Sequence, residues 1–128
     1  MIERSYHFGT VQYHSHALVL TVVEGYNFGW TEGKIIMEDA LALYTDNRKV
    51  TYISNRENSY SLKPADWLKL MKTRERLNAY FIVGKAHNSL LSIPLERMFL
   101  GNIFKTFKSL PEALEASKQL QQGHFKKL

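Results

Sequence analysis

Two uninterrupted apolar runs, Ala17–Val23 (ALVLTVV) and Ala79–Gly84 (AYFIVG), set the tightest limit on what this chain becomes. Each is the length of one strand and far short of the ~20 residues a membrane helix needs. Their β-branched and aromatic content suits strands buried on both faces, which means a parallel sheet covered by helices. The residues between and around them alternate accordingly. Tyr6–Gln12 carries Tyr6, Phe8 and Thr10 on one face, and Tyr13–His16 is a polar break, so the first two strands make a hairpin. Glu24–Trp30 reads as a loop, with Thr31 as N-cap of a helix whose Ile36, Met37, Ala40, Leu41 and Tyr44 share one face and which stops at Thr45–Arg48.

Lys49–Ser54 (KVTYIS) is a third strand and Asn55–Lys63 a polar loop. Pro64 suits a first helical turn, with Trp67, Leu68 and Met71 lining that helix and Asn78 ending it before the Ala79–Gly84 strand. A short helix is expected over Ser92–Leu100 and an edge strand over Phe104–Phe107. Ser109 and Glu112 form a capping box ahead of Leu110, Ala113, Leu114, Ser117 and Leu120, with Gly123 as the C′ residue. The order β-β-α-β-α-β-α-β-α predicts one α/β domain over residues 1–128. It would hold a mixed, mainly parallel five-stranded sheet, an N-terminal β-hairpin and about four helices.

The chain has no cysteine, which removes disulfides, thiolate metal sites and thiol nucleophiles and fits a reducing compartment. The N-terminal MIERSYHFGT has no apolar core and cleavage site, so a cytoplasmic location without a membrane span is expected. Seventeen Lys and Arg against 12 Asp and Glu give a net charge of +5. The basic residues are spread, with small concentrations at Lys69–Arg76 and Lys126–Lys127, and no nucleic-acid partner is expected.

The segment with most capacity for chemistry is Ser54–Ser61 (SNRENSYS), because it follows a buried strand in an open α/β sheet. Ser54, Ser59, Tyr60 and Ser61 offer hydroxyls, Asn55 and Asn58 offer amides, and Arg56 offers a planar fork for a carboxylate or phosphate. The alternative is that Asn and Ser bond to their own loop backbone. His14 and His16, with His7 nearby, can share a strand face, but no acidic residue completes a metal set and solvated turn histidines are the better reading. Tyr26, Phe28 and Trp30 alternate, either as an apolar lip or as a cover for one end of the sheet.

No phosphate-binding glycine loop or nucleophile elbow is present: Gly25, Gly29 and Gly33 lack the lysine and the order such a loop needs. His87 and Ser89 lack an orienting carboxylate, and Glu38 and Asp39 point apart on a helix. No catalytic residue, metal or cofactor is assigned.

The stretch Tyr52–Ser61 (YISNRENSYS), the strand Ala79–Gly84 and the ending Phe104–Ala116 (FKTFKSLPEALEA) together resemble the STAS-type domain. More narrowly, they resemble small bacterial proteins akin to anti-sigma factor antagonists, which overlap with the CRAL-TRIO lipid-exchange fold. The resemblance implies a regulatory protein–protein interaction domain with a protein partner or a homodimer. It also implies a phosphorylatable serine in the turn after this strand, here Ser54 or Ser59, where added charge would switch partner binding. The Asp and the glycine-rich continuation of that motif are missing. The alternative reading is a carrier of a small molecule or lipid, whose apolar cavity is flanked by Tyr26–Trp30 and Ser92–Leu100.

Overall fold

The computed structural model describes residues 1–46, 48–66, 69, 72–84 and 101–126. In chain order the regular elements are β1 (Ile2–Tyr6), β2 (Gly9–Tyr13), β3 (Ala17–Val22), β4 (Asn27–Phe28), α1 (Trp30–Leu43), β5 (Val50–Asn55), β6 (Ser61–Leu62), β7 (Leu77–Val83), β8 (Phe104–Phe107) and α2 (Leu110–Lys126). The α/β class and the mixed sheet agree with expectation. The main sheet has six strands rather than five, in the order β1-β2-β3-β5-β7-β8, while β4 and β6 form a separate two-residue ladder. β1, β2 and β3 pair antiparallel, and β3, β5, β7 and β8 pair parallel.

The additional strand comes from dividing the stretch expected as one strand, Tyr6–Gln12. His7 and Phe8 form a tight turn between Tyr6 and Gly9, which face each other in the β1–β2 register. Gly9 has φ +152°, and a Cβ there would lie 2.1 Å from the Thr21 carbonyl oxygen, so only glycine allows β2 this close to β3. Residues Ile2–Ser5 are exposed, so no buried face marks them as a strand in the sequence.

The described residues contain two α-helices where about four were expected. Pro64 opens a single 3₁₀ turn, Pro64–Asp66, and a second 3₁₀ segment covers Lys72–Arg76. Trp67, Leu68, Met71 and Ser92–Leu100 lie outside the described residues, as do His87 and Ser89. Asn78 does not end a helix but sits inside β7, its side-chain amide donating to the Lys49 carbonyl (3.0 Å).

The N-cap of α1 is Gly29, not Thr31. Two carboxylates take the place of a capping hydroxyl: Glu32 accepts from the Gly29 N–H (2.7 Å) and Asp66 from the Trp30 N–H (2.8 Å). A Cβ on Gly29 would meet Asp66 Oδ2 at 2.4 Å and Lys63 Cδ at 2.7 Å, both side-chain atoms, so a larger residue here would push the Asp66 cap aside. At α2 the Glu112 N–H donates to Ser109 Oγ (3.4 Å), as the capping box predicts, but the helix runs on through Gly123.

Strand alternation divides the core. One face carries Leu18, Leu20, Val22 and Val50 beneath α1 and continues through Tyr80, Ile82 and Phe104. The opposite face carries Ala17, Val19, Ile53, Ala79, Phe81 and Val83 beneath α2, which contributes Ala113 and Leu114.

Candidate functional site

The Ser54–Ser61 segment is knitted into the loop that precedes α1. Ser54 and Arg56 are buried, each 1% exposed. Arg56 Nε donates to Ser54 Oγ (2.9 Å), and Ser54 Oγ shares a hydrogen bond with the Tyr60 hydroxyl (3.0 Å). The Arg56 guanidinium also lies 5.7 Å from the centre of the Tyr60 ring, within cation–π range.

Asn55 donates to Thr21 Oγ1 (3.2 Å) and Asn58 to the Val22 carbonyl (3.0 Å). The Ser59 N–H donates to Glu24 (2.6 Å), and Ser61 Oγ to Asn27 Oδ1 (2.9 Å). Backbone bonds from Gly25 N–H to Ser59 O, from Ser61 N–H to Tyr26 O and from Lys63 N–H to Phe28 O complete a strap built around the β4–β6 ladder. The seven nominated residues therefore come together, with their amides and the Arg56 head turned inward. Only Ser59 and Ser61 of the seven are exposed.

The histidines do not converge with acids, and the described residues contain no cluster of three or more His, Asp or Glu side chains able to hold a metal ion. His14 bonds Gln12 (3.2 Å), and the His14 and His16 rings lie 5.8 Å apart. Burial lowers the pKa of both, helped at His14 by His16 and at His16 by Lys118 of α2. The third histidine, His7, reaches the Tyr26 hydroxyl (3.1 Å), which donates to the buried Glu32 (3.3 Å). Of the aromatic loop, Phe28 and Trp30 turn toward the α1 face of the sheet, whereas Tyr26 packs beside Phe8 with ring centres 6.2 Å apart.

Phe28 and Trp30 form one end of a cavity of about 280 Å³ between α1 and the sheet. Its floor is Leu18, Tyr52 and Tyr80, and its roof includes Ile36, Met37 and Ala40. At the far end Lys49 and Arg76 precede Val50 and Leu77, which are register partners at the amino ends of β5 and β7. Glu75 lies beside them, while Arg48 is held by Asp46 (2.8 Å) and by the Ser15 carbonyl (2.8 Å). The Tyr44 hydroxyl, also in the lining, donates to the His14 carbonyl (2.6 Å), and burial pushes its pKa up to about 12.

The sequence nominated Phe28, Trp30 and Tyr60 but not the floor. Leu18, Tyr52 and Tyr80 sit on three strands, and only the parallel register places them side by side. The apolar runs marked Leu18 and Tyr80 only as parts of buried strands, and Tyr52 only as part of a third strand.

No family model, curated protein or solved structure matches this chain. No helix among the described residues is long and apolar enough to cross a membrane.

Proposed function

We propose that this chain is a non-catalytic binding domain that holds a small, mostly apolar molecule between α1 and the sheet. The observation that carries the reading is the 280 Å³ cavity walled by aliphatic and aromatic side chains on two sides. Small-molecule sites start at about 300 Å³ and combine apolar walls with a few polar groups. An apolar cavity of about 150 Å³ takes a benzene, so this one suits roughly a dozen non-hydrogen atoms.

Native mass spectrometry of protein purified without detergent should show a bound species that Ala40→Trp, which fills the roof, no longer carries. The reading fails if the wild-type protein carries nothing and no member of an apolar fragment set raises its melting temperature.

The second reading is the regulatory interaction domain implied by the STAS resemblance, with a protein partner or a second copy at Ser54–Ser61. Its support is the exposure of Ser59 and Ser61 on the strap. Ser59 is the better phosphate acceptor of the two serines nominated, since Ser54 is buried and bonded to both Arg56 and Tyr60. Ser59→Glu should then change partner capture or self-association where Ser59→Ala does not.

A further inference from the structure

We infer that the chain forms a two-fold dimer through β1, an exposed edge strand of the main sheet, with a second copy of β1 paired antiparallel about Ser5. The contact involves neither the cavity nor the Ser54–Ser61 strap. Backbone bonds in the first three strands show which groups are already spoken for. Val23 N–H donates to the Phe8 carbonyl (2.9 Å) and His14 N–H to the Ala17 carbonyl (2.8 Å), one bond at each end of β2. Between them Thr10 pairs with Thr21 and Gln12 with Val19, so the even-numbered residues of β2 turn their backbone groups to β3.

Gly9, Val11 and Tyr13 then turn theirs to β1, where their register partners are Tyr6, Arg4 and Ile2. That leaves Glu3 and Ser5. Their N–H and C=O groups point away from the sheet, and among the described residues no hydrogen bond reaches them. Ile2, Glu3, Arg4 and Ser5 are all exposed, Ile2 by 48%. Unpaired backbone groups along an exposed strand are a template for another strand.

A second copy fits because β1 is complementary to itself in one register. A two-fold axis normal to the sheet presents the same patch from both copies. Only registers that set odd-numbered residues opposite odd-numbered ones join the free groups of Glu3 and Ser5. Centred on Glu3, the pairing sets Glu3 against Glu3; centred on Arg4, it sets Arg4 against Arg4. Like charges directly opposite are destabilising. Centred on Ser5, it sets Ser5 against Ser5, Arg4 against Tyr6 and Glu3 against the turn at His7, with no like pair.

The Tyr6 hydroxyl donates to Asp39 of α1, which also holds Arg4 at 3.2 Å. In the dimer each Arg4 therefore meets the second copy's Tyr6 and Asp39, and two guanidiniums and two carboxylates alternate around the axis. α1 leaves room for this. It lies over Leu18 and Leu20 of β3, and at ordinary strand spacing the two copies of β3 stand roughly 24 Å apart, against a helix diameter of about 10–12 Å.

The test is sedimentation equilibrium of the full chain from micromolar to millimolar concentration. Physiological salt screens the net charge of +5 beyond about 8 Å. A pairing this short is well below standard interface size, so a weak, concentration-dependent dimer is expected. Ser5→Pro removes the outward N–H at the axis and spares the β1–β2 ladder, since proline is tolerated on an edge strand whose N–H faces out. It should weaken association about tenfold or more, because symmetry deletes two hydrogen bonds at once.

The chain has no cysteine, so Ser5→Cys supplies a single thiol. Directly opposed residues of an antiparallel pair lie about 5.5 Å apart at Cα, within disulfide reach. Ser5→Cys should therefore cross-link two copies under mild oxidation. Glu3→Cys should not, because its two thiols would sit roughly 13 Å apart along the strands.

A chain that is monomeric at every concentration overturns the inference and leaves the edge to a strand of another protein. A dimer that Ser5→Pro leaves intact also overturns it, by placing the contact elsewhere, as at Ser54–Ser61. Cross-linking by Glu3→Cys in place of Ser5→Cys overturns the register and the self-complementarity with it. If Ser5→Pro does not fold, the two cysteine variants decide.

Discussion

Among the described residues one α-helix covers each face of the sheet, and the two contacts are built on opposite principles. Beneath α2 the contact is made of small residues: Ala17, Ala79 and Ala113, with Ser117, are all 3% exposed or less. Small side chains let the helix settle close, and Phe81 and Val83 fill what remains. Beneath α1 the sheet presents Tyr52 and Tyr80, and only Glu32 and Ile36 of that helix are buried. Large rings hold the helix away from the strands, and a gap stays between. The same layered plan thus gives a filled interface on one side and a receptive one on the other, according to side-chain volume along a few register rows.

The strongest way to break this comparison is to add the same bulk to both helices. Ala113→Leu forces a larger side chain into a filled contact and should cost about 1–3 kcal/mol. Ala40→Leu adds the same atoms to the roof of the cavity and should change stability by less than about 1 kcal/mol. Equal losses in urea denaturation would show that the two interfaces are packed alike.

A smaller effect is expected within the filled face itself. Thr51 is fully buried there, and its hydroxyl finds no hydrogen-bond partner. Thr51→Val keeps the shape and removes the stranded polar atom, so it should stabilise by about 0.5–1.5 kcal/mol. A loss of stability on calorimetric melting would mean that the hydroxyl has a partner in solution.

The smallest expected effect is on pH. His14 and His16 sit in the β2–β3 turn, and burial holds both below the ordinary value of 6.5. Below pH 6.5 the unfolded chain takes up protons on these rings before the folded chain does. Their contribution to stability is therefore full above pH 6.5 and declines as the pH falls toward the folded values. The urea midpoint should drop between pH 8 and pH 5, and the double variant His14→Gln with His16→Gln should flatten that part of the curve. An unchanged slope would mean that these rings titrate alike in both states.

How much was legible follows from what each residue had to signal. The bodies of β3 and β7, read as Ala17–Val23 and Ala79–Gly84, announced themselves because strands buried on both faces are largely apolar, while the Leu77–Asn78 start of β7 did not. The mixed sheet followed from alternation. β1 stayed hidden because its residues face solvent, and the break after Tyr6 because no turn dipeptide marks His7 and Phe8. The caps of α1 were unreadable locally, since Asp66 arrives from 36 residues away.

At the polar loop, composition identified donors and acceptors but not their engagements. Arg56 looked available as a fork for an anion, yet the fold encloses it beside Ser54 and Tyr60. The cavity depended on register, which is a property of pairs of strands and is invisible in any single one.

The knitting of Ser54–Ser61 into the loop before α1, with Asp66 on the first turn of that helix, has a mechanical consequence. It ties the roof of the cavity to its side wall at the Phe28 end. At the opposite end the lining groups Lys49 and Arg76 are exposed ionic side chains outside any such ladder. The far end of the roof is moored too, since the Tyr44 hydroxyl at the end of α1 donates to the His14 carbonyl (2.6 Å), so α1 sits like a plank nailed at both ends and any change in the space must come from its side chains.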